Sequence, residues 1–334
     1  MEVKKVRVVK KCIQKIVGLF GYRLLRKDWY RLVTQVDLEI TPPPPSTIPE
    51  SLISDFTMGD KIPLFYFYRN DTVPNEKKLH ITAERYKESL KKIEKRTFKY
   101  FGDEVNAFYD ALEKYPLSGK SVLIWGLADC NCEAIALGYN ASKVYVVDYN
   151  KPICDHPLIE VLTHGELIAK NIRVDFAFSY SSFEHDGLGR YGDPIDPNGD
   201  IKAMQDAHDK LNNNGILFLG VGLGKDALCW NIHKIYGKYR LPLLLKGWQC
   251  LDVFDSYKYI DKQLPFDVEQ DGYYRRSVLV LKKIPGDFPD DSVLKEAINN
   301  SFQNVKGTNN PRMLDMISQF ILDYKNGADK RRFP

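Results

Sequence analysis

Hydrophobic positions change their period along this chain near residue 120. Between residues 82 and 115, apolar side chains return at Leu90, Ile93, Phe98, Phe101, Val105, Phe108 and Leu112 in a charged background. That spacing belongs to one face of a helix and predicts one or two helices, closed by Pro116 and Gly119. From Lys120 onward, short continuous apolar runs alternate with helical stretches. The runs at 121–125, 143–148, 159–162, 174–180 and 216–221 read as strands buried on both faces. Helices are predicted at 132–138, 163–170 and 198–211, the last with Ile201, Met204, Ala207 and Leu211 along one face. Two later strands, 250–254 and 277–282, have no clear helix between them and predict an antiparallel pair at a sheet edge. The alternation as a whole predicts an α/β fold, a mostly parallel sheet with helices on both faces.

The flanks divide the chain further. TPPPPSTIPE, residues 41–50, is a proline-rich stop. Five segments result: an arm (1–40), the proline-rich linker (41–50), a mostly helical lead-in (51–118), the α/β domain (119–284) and a helical, charged extension (285–334). The chain has 334 residues and a formal charge of +4, but the charge is uneven. Residues 1–31 carry ten Lys or Arg against Glu2 and Asp28, a net +8 that leaves −4 for the rest. A nucleic-acid groove along the body is therefore not indicated. The arm also has apolar residues at helical spacing, Val6, Val9, Ile13, Ile16, Val17, Phe20 and Leu24. Such a basic amphipathic helix either lies on an anionic membrane surface or packs on the main domain. No apolar run reaches the length of a spanning helix or a signal peptide, so a cytoplasmic protein is expected. The six cysteines form no CxxC pair, and no metal site is indicated.

The chemistry points to SVLIWGLADCNCEAIALGYNASKVYVVDYN, residues 121–150. It reads as strand, turn, helix, strand, with Gly126 ending the first strand and Asp148 the second. A βαβ unit with an acidic residue about 20 residues beyond the first glycine is the mononucleotide-binding half of a doubly wound fold. The carboxylate accepts hydrogen bonds from a ribose, so an adenosine-like ligand is expected.

Five parallel strands and a final strand pair resemble the class I S-adenosylmethionine-dependent methyltransferases, a Rossmann-like fold whose last strand is antiparallel. NNNG before ILFLGV resembles the superfamily's entry into its fifth strand, and VDFAFSYSSFEH its fourth strand and following loop. SSFEHDGLGRYGDPIDPNGD, residues 181–200, is similar to an uncharacterised methyltransferase-like family known from nematodes and bacteria. The resemblance covers roughly residues 120–283 and implies S-adenosylmethionine as cofactor.

On that resemblance the cofactor set is Gly126, Ala128, Asp129, Asp148, Glu166 and Ser181. The turn departs from the superfamily pattern: Ile124 stands where an acid is usual, and Ala128 and Cys130 where glycines are usual. Asp129 is a substitute acid for the cofactor's amino group. Glu166 either approaches the adenine or simply complements its helix start.

The loop at 181–200 opens on the ligand edge and carries the candidate catalytic residues. His185 is the natural base for a hydroxyl acceptor, with Glu184 or Asp186 orienting it. Tyr180 and Phe183 either face the sulfonium or pack in the core. His185 with Asp193 and Asp196 is a weaker oxygen-rich metal alternative. Arg190, Tyr191 and Asp193, with Asp226, Asn231, His233 and Arg240 further on, line an acceptor pocket or, for the last four, belong to an ordinary polar helix. His208 reads as structural. The leading reading is methyl transfer to a hydroxyl of a small molecule or sugar. The other is a catalytically inactive methyltransferase-fold scaffold that binds a nucleoside or a protein.

Overall fold

The computed structural model describes residues 43–72, 80–97, 105–126, 132–149, 151–237, 239–255 and 275–284. The basic arm and the C-terminal extension lie outside the described residues. Among the described residues no helix is long and apolar enough to cross a membrane.

Ahead of the sheet come α1 (Glu50–Thr57), β1 (Leu64–Tyr66), β2 (His80–Ile81), α2 (Ala83–Glu94) and α3 (Val105–Lys114). The lead-in is thus not purely helical, since it supplies two short strands. Thr82 caps α2 by accepting from the Arg85 N–H, and the helix buries Tyr86, Ser89 and Ile93 on one face. Next come β3 (Ser121–Trp125), α4 (Cys132–Gly138), β4 (Lys143–Val147), β5 (Ile153–Cys154), β6 (Ile159–Leu162), α5 (His164–Ala169) and β7 (Val174–Tyr180). After the loop follow α6 (Gly199–Lys210), β8 (Leu211–Leu223), β9 (Ala227–Trp230), β10 (His233–Ile235), α7 (Leu241–Leu244), β11 (Trp248–Asp255) and β12 (Arg275–Lys283).

Seven strands form the main sheet in the order β6-β4-β3-β7-β8-β12-β11. The first five are parallel to one another. β12 lies antiparallel between β8 and β11. The class I methyltransferase layout is thus present, including the antiparallel last strand. Each face of the sheet carries its own core, as a doubly wound fold requires. One face packs Phe108 of α3 edge-on against Phe178 and Phe218. The other packs Ala203, Met204 and Ala207 of α6 with Leu217 and Leu219.

A second unit was not visible as such in the sequence. β1, β9 and β10 form a small sheet whose core is Ile48, Phe56, Ile62, Leu188, Leu228 and Trp230. Trp230 meets the Phe56 ring edge-on at 5.4 Å and donates its indole N–H to the Pro45 carbonyl at 3.1 Å. Leu188 belongs to the 181–200 loop, so this unit clamps that loop to the body. Residues 227–235 are strands and a tight turn, not the polar helix that was one alternative.

Candidate active site

In open α/β sheets ligands bind where the parallel strands end. There Gly126 leaves β3 with φ +78°, and its N–H donates to the Val147 carbonyl at 2.9 Å. Asp148, half-buried, follows directly, its N–H 3.3 Å from the Leu162 carbonyl. Gly126 and the Asp148 backbone are therefore neighbours across the β3–β4 edge. A Cβ on Gly126 would lie 3.0 Å from Ser182 Oγ, so the loop after β7 comes down onto this glycine. Ala128 and Asp129 fall outside the described residues.

Glu166 has a sufficient local task. Its carboxylate accepts the Thr163 N–H at 2.7 Å while Thr163 Oγ1 accepts the Glu166 N–H, a reciprocal cap on α5. Lys151 pairs with it at 2.5 Å, and that pairing lowers its pKa. The helix start and Lys151 account for this residue, as the dipole reading had it.

The 181–200 loop is built by its own acids. Asp193 accepts from the N–H groups of Gly187 (2.8 Å), Gly189 (2.9 Å) and Tyr191 (3.2 Å). Asp196 accepts from the Asn198 N–H at 2.9 Å and pairs with Lys202. Asp200, fully buried, accepts from Lys234 Nζ (3.1 Å), the Tyr236 hydroxyl (3.0 Å) and Arg240 Nε (2.8 Å). Burial pushes its pKa up, but Arg240 and Lys234 outweigh that and hold it at about 2. This buried cluster ties the start of α6 to β10 and to the residues leading into α7.

Several acceptor candidates hold the scaffold together. Asp193 binds three backbone amides and Asp196 pairs with Lys202, so both carboxylates have structural tasks. Asp226 likewise accepts from the Gly237, Tyr239 and Arg240 N–H groups. Asn231 grips the Arg69 backbone at both ends, accepting its N–H and donating to its carbonyl, each at 2.8 Å. Arg190 is buried and pairs with Asp71 at 2.6 Å, with its guanidinium 4.8 Å from the Tyr191 ring. Phe183 packs edge-on against Trp125 and Tyr180 stacks on Phe108, so both serve the core. His208 meets the Ile284 carbonyl at 3.0 Å and the Trp248 ring edge-on, a structural role.

What remains is a compact group around His185. Its Nδ1 lies 2.5 Å from the Ile232 carbonyl oxygen. A carbonyl only accepts, so Nδ1 carries the proton and Nε2 presents its lone pair. Burial holds the imidazole neutral, with its pKa lowered to about 3. Ile232 thus orients His185, the task the sequence reading gave to Glu184 or Asp186. Glu184 Oε1 is 4.0 Å from Nε2, beyond hydrogen-bond reach. Both Glu184 oxygens are buried without a hydrogen-bond partner, and burial raises this carboxyl's pKa. Tyr191 stands edge-on to His185 at 5.7 Å, and the His233 ring lies 6.4 Å away.

Arg276 completes the group and had no signal in the sequence. It lies at the start of β12, opposite Gly222 of β8, where the antiparallel strand enters the edge at which the parallel ones finish. Its Nη2 donates to Ser181 Oγ at 3.3 Å, and its guanidinium carbon is 5.9 Å from the Tyr180 ring centre. Ser181 itself has φ +55° and closes back on the Gly220 carbonyl at 2.8 Å.

Residues 119–284 match the sequence model of a family described as "Caenorhabditis protein of unknown function, DUF268". The DUF268 segment coincides with the main sheet and contains the whole group around His185. No curated protein matches the chain. Solved structures similar to it include a hemolysin candidate of Streptococcus thermophilus, 10% identical, covering 67% of this chain and 75% of that one at a TM-score of 0.36. Another is the 1,6-didemethyltoxoflavin N1-methyltransferase of Burkholderia thailandensis, with 14% identity, coverage of 55% and 79%, and a TM-score of 0.39. A third is an arsenic(III) S-adenosylmethionine methyltransferase of Chlamydomonas reinhardtii, with 12% identity, coverage of 52% and 67%, and a TM-score of 0.36. Likenesses this loose carry no argument about chemistry; the fold of the DUF268 segment rests on its own strand order.

Proposed function

We propose that this protein transfers a methyl group from S-adenosylmethionine to a hydroxyl of a small molecule or sugar. The observation that supports this most is that Gly126, Asp148 and the loop carrying His185 all follow strand ends on one edge of a sheet with the methyltransferase strand order, with Ser182 of that loop against Gly126. The bound cofactor would supply an electrophilic methyl on a sulfonium. Asp148 would accept from the ribose hydroxyls, beside the glycine whose bare backbone admits the ligand. His185, fixed by Ile232, presents Nε2 as the proton acceptor for a hydroxyl. Tyr191 and His233, the rings nearest His185, would form the acceptor side. Transfer of this kind depends chiefly on alignment, which the heavily braced 181–200 loop provides.

The net +8 of residues 1–31 and the apolar stripe among them support peripheral contact with an anionic membrane surface by a cytoplasmic protein.

Calorimetry with S-adenosylmethionine on the wild type and Asp148→Ala tests the reading. Micromolar binding that falls at least about tenfold in the variant is expected, since a lost charge-assisted hydrogen-bond pair removes 1.4 kcal/mol or more. A folded wild type that binds nothing would favour the non-catalytic scaffold instead.

A further inference from the structure

The turn after β3 lacks the acid that the superfamily pattern places at its start. Ile124 fills that position and is fully buried in the sheet. Elsewhere on the same edge a carboxyl is buried, with Arg276 and Ser181 the nearby groups that favour its charge. Glu184 is 1% exposed and neither of its oxygens has a hydrogen-bond partner. A buried carboxyl left this way is costly and persists where a ligand completes it. Its loop is the one that descends on Gly126 through Ser182, so Glu184 stands two residues from the cofactor turn's first glycine contact. On the other side of that contact, Ser181 Oγ holds the Arg276 guanidinium.

We propose that Glu184 and Arg276 together hold an α-amino acid head group, the amino-acid end of the cofactor. The inference rests on the cofactor reading above and deepens it. An α-amino acid end offers an ammonium with three donors and a carboxylate with two acceptor oxygens. Glu184 takes the ammonium and Arg276 the carboxylate, each through charge-assisted hydrogen bonds. A cationic group beside Glu184 favours its ionised form, offsetting the burial that disfavours it. His185 Nε2 lies 4.0 Å from Glu184 Oε1, beyond hydrogen-bond reach, and takes no part in the clamp. The acid missing from β3 is thereby replaced from a different strand's loop.

Two nucleosides separate the clamp from the rest of the site. S-adenosylhomocysteine carries the amino-acid end; 5′-methylthioadenosine lacks it but shares the adenosine and thioether. By calorimetry the wild type is expected to bind the first at least about tenfold more tightly. Glu184→Gln and Arg276→Gln should each erase most of that preference while leaving methylthioadenosine affinity within about twofold. Thermal melting checks that each variant is folded. Equal wild-type affinities, or Glu184→Gln weakening both nucleosides alike, would overturn the clamp and leave the cofactor reading standing. A folded wild type that binds neither nucleoside would overturn both.

Discussion

His185 Nδ1 lies 2.5 Å from the carbonyl oxygen of Ile232, and this contact decides which ring nitrogen faces the site. Because the native pKa is lowered to about 3 while the unfolded imidazole titrates near 6.5, the unfolded chain binds the extra proton first. The associated stability is fully present above pH ~6.5 and is lost as pH falls toward 3, by up to about 1.4 kcal/mol per unit. Chemical denaturation of the wild type and His185→Gln across pH 4–7 should show a shallower pH dependence in the variant. Identical slopes would mean that His185 is not held neutral.

His185→Gln should also leave S-adenosylhomocysteine affinity within about twofold if His185 serves the acceptor as proposed. A loss of more than tenfold in calorimetry would move His185 into the cofactor pocket.

Asp193 is predicted to be a loop-building residue. Asp193→Ala strands three backbone N–H groups, those of Gly187, Gly189 and Tyr191. Each orphaned buried donor costs about 1–3 kcal/mol, so a loss of about 3 kcal/mol or more is expected in denaturant titration. Hydrogen exchange at those three amides should accelerate most. Unchanged exchange there, with weaker binding of an acceptor, would return Asp193 to the pocket.

Asp200 neutralises two buried cations, and removing it should cost more than a surface pair would. Asp200→Ala leaves Lys234 and Arg240 buried together, an expected loss of about 3–5 kcal/mol. Adding Lys234→Met to that background should recover part of it, measured as a double-mutant cycle. Additive losses would show that the two residues are not coupled.

Two glycines with similar backbone angles should respond differently to alanine. Gly119 has φ +74° and open space around a Cβ, so Gly119→Ala carries strain alone, about 1–2 kcal/mol. At Gly187, φ +84°, the added Cβ would fall 2.0 Å from the Asp196 carbonyl oxygen. Gly187→Ala should therefore lower the melting temperature clearly more than Gly119→Ala, and equal effects would mean that the loop yields easily at this point.

The sequence by itself determined the main sheet. Runs such as 121–125, 159–162 and 174–180 coincide with observed strands, because a strand buried on both faces must be continuously apolar whatever surrounds it. Gly126 and Asp148 were legible too, since the glycine ends one such run and the acid ends the next. What each polar side chain does was decided by the tertiary structure. Asp193, Asp226 and Asn231 look like pocket residues in a polar, glycine-rich stretch, yet each satisfies backbone groups that the chain path buries. Ile232 and Arg276 stood out in no pattern, because one acts through its carbonyl and the other reaches Ser181 from 95 positions away. The small sheet of β1, β9 and β10 is built from three- and four-residue strands, too short for periodicity to register. Hydrophobic period reports burial locally along the chain, whereas hydrogen-bond partners depend on which distant segments folding brings together.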